Sequence, residues 1–352
     1  MNKTVMALAI ASAMTIPAGA YAAGPLDGSV YGKINISVVN NDFDDQGLAA
    51  GDPENSDQWE LNSNASRVGV KGKAKLGDNL YAIYKAEFEI HVDDGASSSS
   101  KGSDTFEQRN IIGGLTGSWG TVWGGKHDSP TKLAQKKVDL FNDLEGDIKH
   151  VMAGETRASN IVNYTSPNFN GFSASVATIF GEDREDNEKD GFFDSYSASA
   201  QYSAGGIYVA LAIDENVKSG SKSQGLGKDY LDIMRVVGQF EIGAVTLGAL
   251  WQNAEEGDSA VSADPLAELD EDSFHLSAKW KVGNGYTLKA QYSESEDDVT
   301  DNEAELMSFG LDKKLGKKTK LFAFYTMLEQ TEGLTKLTVD EDAFGFGIEH
   351  KF

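Results

Sequence analysis

The chain has 352 residues, no cysteine, and 55 acidic against 31 basic side chains, giving a net charge of −24. The lack of cysteine removes disulfides, thiolate nucleophiles and cysteine-based metal sites. The negative charge argues against any sequence-independent grip on nucleic acid. No segment beyond the N-terminus approaches eighteen consecutive apolar residues, which excludes helical membrane spans. It leaves open a barrel, whose strands show one face to lipid and one to water and so keep overall hydropathy low.

Residues 1–22 read as an export signal: Lys3 gives a positive start, Val5 to Ile16 form an apolar run, and Ala20-Tyr21-Ala22 supplies a small-x-small cleavage site. Cleavage there puts the mature N-terminus at Ala23, leaves 23–352 as one domain, and makes the mature charge −25 by removing Lys3.

From there the chain reads with period two, in segments of roughly ten residues. The first sets Val30, Gly32, Ile34, Ile36 and Val38 on one face and Tyr31, Lys33, Asn35 and Ser37 on the other. The second starts near Trp59. The third opposes Leu80, Ala82, Tyr84, Ala86, Phe88 and Ile90 to Lys85, Glu87 and Glu89. Further strands are expected near Thr105, Trp119, Arg157, Phe172, Asp194, Ile207, Asp229, Gly243, Phe274, Tyr286, Glu305 and Lys318. The last places Phe344, Phe346, Ile348, His350 and Phe352 on one face. That makes sixteen strands and an all-β, transmembrane antiparallel barrel. Aromatics such as Tyr84, Trp251, Trp280 and Tyr286 sit near strand ends on the apolar face, as interfacial girdles require.

The connections alternate in length. Short ones such as Gly77-Asp78-Asn79, Ala204-Gly205-Gly206 and Gly283-Asn284-Gly285 separate long acidic ones around 41–58, 92–104, 181–193, 214–229, 253–272, 294–304 and 329–342. A membrane barrel with tight turns at one end and long loops at the other shows this asymmetry, and a soluble sandwich does not need it. The Ser97–Ser100 run reads as a flexible loop tip, and the acidic runs as solvated loop faces.

One long connection differs. Ser129 to Thr156 interleaves carboxylates with Leu and Phe at its centre, Asp139-Leu140-Phe141-Asn142-Asp143-Leu144-Glu145-Gly146-Asp147. A loop that packs on something and presents acids from its other side has this composition. The flanking strands carry Arg67, Arg109, Lys126 and Arg157 at inward parity, where charge is tolerated; facing lipid at the midplane it costs several kcal/mol. Acids folded inward against such a basic wall would narrow a water-filled pore and set a field across it.

At this point four motifs in order resemble the general diffusion porins of Gram-negative outer membranes. They are Ser66-Arg67-Val68-Gly69-Val70-Lys71-Gly72; Phe106-Glu107-Gln108-Arg109-Asn110 with Gly114 to Val122; Gly125-Lys126-His127-Asp128-Ser129-Pro130; and Arg157 with Asn160, Tyr164 and Ser166 to Phe172. The family often has Arg where Lys126 stands. The resemblance implies a homotrimer of sixteen-stranded barrels, each narrowed by its third loop. Asp139, Asp143, Glu145 and Asp147 would form the acidic side, and Arg67, Arg109, Lys126 and Arg157 the basic side. The terminal Phe352 is similar to the family's signal to the outer-membrane assembly machinery. Lipid, lipopolysaccharide and small hydrophilic solutes complete the implied partners, with no cofactor.

Three rival readings exist. An enzyme built on a barrel would need a nucleophile, base and orienter, and the five histidines form no catalytic motif. An adhesin or binding barrel would not need the inward loop, and a substrate-specific porin would carry a dedicated solute track. The expected function is passive diffusion of ions and small hydrophilic solutes with modest cation selectivity, set by acidic mouths opposed by lumen arginines.

Overall fold

The computed structural model describes residues 26–48, 56–93, 105–181, 192–219, 230–257 and 269–352. The expected export signal and the Ser97–Ser100 run lie outside the described residues.

Among them are strands β1 (Leu26–Asp45), β2 (Asp57–Ser63), β3 (Arg67–Gly77), β4 (Leu80–Ile90), β5 (Phe106–Gly117), β6 (Gly120–Asp128), β7 (Arg157–Thr165), β8 (Phe172–Ile179) and β9 (Tyr196–Ala204). They continue with β10 (Ile207–Lys218), β11 (Tyr230–Ile242), β12 (Val245–Glu256), β13 (Asp270–Gly283), β14 (Tyr286–Asp297), β15 (Asn302–Lys314), β16 (Thr319–Thr331) and β17 (Thr338–Lys351). Apart from β2 and β3, which lie end to end, each strand pairs antiparallel with its sequence neighbours, and β1 pairs with β17 from Lys33↔Lys351 to Asp45↔Val339, closing the sheet. Closing a sheet on itself removes its open edges, the condition for a sheet to stand in lipid.

The seventeen segments make sixteen barrel strands, because β2 and β3 share one place. Both pair with β1: Ile36–Asp42 with β2, and Leu26–Lys33 with β3. Asn64, Ala65 and Ser66 break the strand between them, with Ala65 at φ 47°. The ladder is filled there by Ser66, whose Oγ accepts from the Asn35 N–H at 2.9 Å and donates to the Asn35 carbonyl at 3.0 Å.

The period-two faces hold. Ile207, Val209, Leu211 and Ile213 are exposed on β10 while Tyr208, Ala210, Ala212 and Asp214 are buried. Leu276 and Trp280 point outward while His275 and Ser277 are buried. Most strands begin within two residues of the expected positions. The short turns use residues that accept the left-handed region, such as Gly205 and Gly206 at φ 60° and 82°.

Several expected loops are shorter than composition suggested. The acids Glu294, Glu296 and Glu303 belong to β14 and β15, with Glu296↔Glu303 in direct register and Glu294 opposite Glu305, the expected strand start. Asp340 and Glu341 likewise belong to β17. Glu-rich sequence looks like loop, but here the ladder's hydrogen bonds carry it on above the lipid zone.

Candidate pore constriction

The connection from β6 to β7 runs through the barrel lumen. It opens with a short helix, α1 (Pro130–Ala134), capped by the Ser129 hydroxyl accepting from the Lys132 N–H, and holds a 3-10 turn at Ile148–His150.

One side of this loop is stapled to the wall. Val138, Ile148 and Met152 pack on Tyr208, Val237 and Leu250; Phe141 and Leu144 pack on Val39, Phe322 and Phe324; Val151 packs on Leu306 and Leu328. Phe141, Ile148, Val151 and Met152 are fully buried, and burial of each contributes about 1.5–3 kcal/mol. Lumen-facing polar groups take up the loop backbone. The Tyr208 hydroxyl donates to the Ala134 carbonyl at 2.7 Å, His275 Nε2 donates to Val138 at 3.1 Å, and Gln291 accepts from the Leu140 N–H at 2.9 Å. Arg235, fully buried, donates to the Ala153 carbonyl, to Gln252 and to Glu155. The alternation of Leu and Phe with acids is thus the signature of a loop with a dry side and a wet side.

The wet side faces β2 to β7 across a chamber of about 1200 Å³. Asp143 projects into it, and its Oδ2 accepts from Lys33 Nζ at 2.9 Å and from Arg67 Nη2 at 2.7 Å. Burial pushes this carboxyl up, but Lys33, Arg67 and Arg109 outweigh burial and hold it well below the usual carboxylate range. Glu145 also lines the chamber, accepting from Asn62 Nδ2 at 2.6 Å. Burial raises its pKa, opposed only in part by the Asn62 hydrogen bond.

The other two expected acids do different things. Asp139 turns into the packed side: it is buried, accepts from the Phe141 N–H at 2.9 Å, and does not line the chamber. Burial, and then the nearby Asp147, push its pKa well up. Asp147 lines the chamber, but its oxygens accept from the Asp143 and Lys149 backbone N–H groups at 2.9 and 3.0 Å, so it fastens the loop's own turn.

On the wall, Arg109 pairs with Glu89 and lies 3.4 Å from Glu87. Arg157 Nε donates to Asp128 at 2.9 Å and to Asn110 at 3.1 Å. Lys126 departs from expectation. It pairs in register with Ile111, itself opposite Ala86 on the outward face, and does not line the chamber. The cause is local: between Gly125↔Ile161 and His127↔Ala158 strand β7 carries one extra residue, with Asn160 at φ 55°, so parity counted from Arg157 fails across it. Lys33 and Lys132 stand at the site instead, Lys132 lying 3.6 Å from Glu155. Neither was singled out from sequence, although Lys33 sits at inward parity in the first strand.

A closed antiparallel barrel with an apolar outside, a polar inside and a loop folded through its lumen defines a channel-forming protein of the outer membrane. The chain belongs to the Gram-negative porin family, whose model matches residues 7–333. It is 26% identical to outer membrane porin protein 32 of Delftia acidovorans, over 95% of this chain and 92% of that protein. Among solved structures it is similar to the anion-selective porin from Comamonas acidovorans, with TM-score 0.74 and 22% identity, over 93% of this chain and 100% of that one. It is also similar to the trimer form of in-vitro folded OmpT of Vibrio cholerae, with TM-score 0.63 and 16% identity over 93% and 99% of the two chains. The barrel is therefore an outer-membrane porin channel.

Proposed function

We propose that this porin passes ions and small hydrophilic solutes by passive diffusion, with weak cation selectivity set between the third loop and the β2–β7 wall. The observation that carries the sign is the charge lining the chamber: nine carboxylates against six Lys or Arg side chains. The arginines that would attract anions are already engaged, Arg67 by Asp143, Arg109 by Glu89 and Arg157 by Asp128. Glu60, Glu145 and Glu341 line the chamber on its acidic side and give a permeating cation carboxylates to exchange hydration against.

Asp143 and Glu145 act as the acidic side of the constriction, with Asp147 fastening the loop behind them. Arg67, Arg109 and Arg157 act as the basic side, joined by Lys33. The relative described as anion-selective is a distinct protein, and the two chains are expected to differ in sign. Following the trimer described for OmpT, three barrels assemble together after removal of residues 1–22, with Phe352 guiding insertion among outer-membrane lipid and lipopolysaccharide.

The test is the reversal potential of the refolded protein in a planar bilayer under a KCl gradient. Stable conductance steps in groups of three, with a cation-preferring potential, support the reading. An anion-preferring potential overturns the selectivity, and no conductance from an inserted barrel overturns the channel.

A further inference from the structure

Charge inside this barrel is segregated along its axis. Toward the long-loop end, carboxylates stand directly opposite one another on neighbouring strands at lumen-facing positions, as Glu89↔Glu107 and Glu271↔Asp297. Toward the short-turn end, lysines do the same, as Lys71↔Lys85 and Lys279↔Lys289. Like charges directly opposite each other destabilise a sheet, and this chain holds such pairs of one sign at one end and of the other sign at the other.

Lys73 and Lys281 extend the basic lining to the short-turn mouth, both exposed. Asp312, bound to Lys289 and Lys320, Glu349, bound to Lys351, Glu87, 3.5 Å from Lys85, Asp27, in register with Lys73, and Glu241 near Lys279 offset part of that charge. The third loop crosses between the two zones.

We infer that the pore is a rectifier: its acidic vestibule at the long-loop end and its lysine vestibule at the short-turn end make it conduct better in one direction than in the other. The inference rests on the channel reading above. An acidic wall enriches cations in the fluid beside it, and a basic wall enriches anions. When the short-turn side is held negative, cations enter from the cation-rich zone and anions from the anion-rich zone, so both accumulate where the zones meet and conductance rises. At the opposite polarity both are drawn away from that junction, which is depleted.

The junction holds only while screening is weak. Current at the favourable polarity should exceed that at the other by about twofold in ~0.1 M KCl, where the Debye length is about 10 Å, and the ratio should approach one at ~1 M, where it is about 3 Å.

The test is single-channel current at both polarities from pores of known orientation. The chain contains no cysteine, so Thr335→Cys in the connection between β16 and β17 can be labelled from one compartment to mark the long-loop side. The double variant Lys73→Gln, Lys281→Gln removes two lumen charges from exposed positions and should bring the ratio toward one. Lys313→Gln is the control. Lys313 lies opposite Tyr286 on the outward face, its Nζ 3.8 Å from the centre of that ring, and its loss should leave the ratio unchanged. Intact conductance with a wild-type ratio of one, a ratio of the opposite sense, or an equal response to Lys313→Gln overturns the inference while leaving the channel standing. Absence of conductance overturns the channel reading itself.

Discussion

Asp143→Asn changes one atom of the loop and is expected to change which ion the pore prefers. The side chain keeps its shape, so the packing behind Phe141 and Leu144 is undisturbed. What disappears is the negative charge that Lys33 and Arg67 share at 2.9 and 2.7 Å. A unit charge about 8 Å from the ion path acts on a passing ion by about 0.5 kcal/mol in water. Screening at ~0.1 M reduces that by roughly half. The change favours anions as much as it disfavours cations, so the cation-to-anion permeability ratio should fall about twofold at that ionic strength and further in more dilute salt. Reversal potentials of wild type and variant under the same KCl gradient measure this directly. Glu145→Gln removes the same charge without releasing two cations, and should shift the potential in the same direction by less. An unchanged or more cation-preferring potential in Asp143→Asn would refute the assignment of Asp143 to the conducting surface.

Acidification should act on the two acids in sequence. Burial raises the Glu145 pKa, so it protonates first, above the ordinary glutamate value of about 4.3. Asp143 is held low by its cations, so its anchoring contribution is fully present above the ordinary aspartate value and is lost only as pH falls through its depressed one. Cation preference measured against pH should therefore decline while conductance remains steady. Lys33→Ala should increase cation preference, whereas Lys126→Ala and Asp139→Asn should leave the reversal potential where it is, which the same bilayer assay reads. Arg235→Ala removes the buried bonds to Ala153, Gln252 and Glu155, with Lys132 left as the cation beside Glu155, and costs about 3 kcal/mol, roughly 1 kcal/mol for each bond lost. Thermal unfolding at lower temperature, together with proteolytic cleavage inside 129–156, is the expected outcome.

The barrel was legible because burial on one face imposes a period of two, and that pattern survives in strands as polar as β13 and β14. The break at Asn64–Ser66 was not, since its hydrogen bonds go to Asn35, a partner that spacing cannot identify. The inward loop could be recognised from Leu and Phe set among acids. Which acids face water could not, because a loop has no fixed period: Asp139 and Asp143 differ by one turn of backbone and point to opposite sides. Parity worked for Arg67, Arg109 and Arg157 and failed for Lys126, where the extra residue at Ser159–Asn160 of β7 shifts the register. Glu87 and Glu89 shared the inward face of their strand from the start, but pairing with Arg109 depends on the neighbouring strand's register.

The stapling of the third loop to the β10–β17 side divides the labour of the barrel between two arcs. One arc holds the plug in place through oily contacts and buried polar clasps, and the other meets the traffic. Substitutions on the second arc can retune what passes without loosening what narrows the passage. A lineage carrying this scaffold could move between cation and anion preference by drift on β2 to β7 alone, with its folding core never exposed to the experiment.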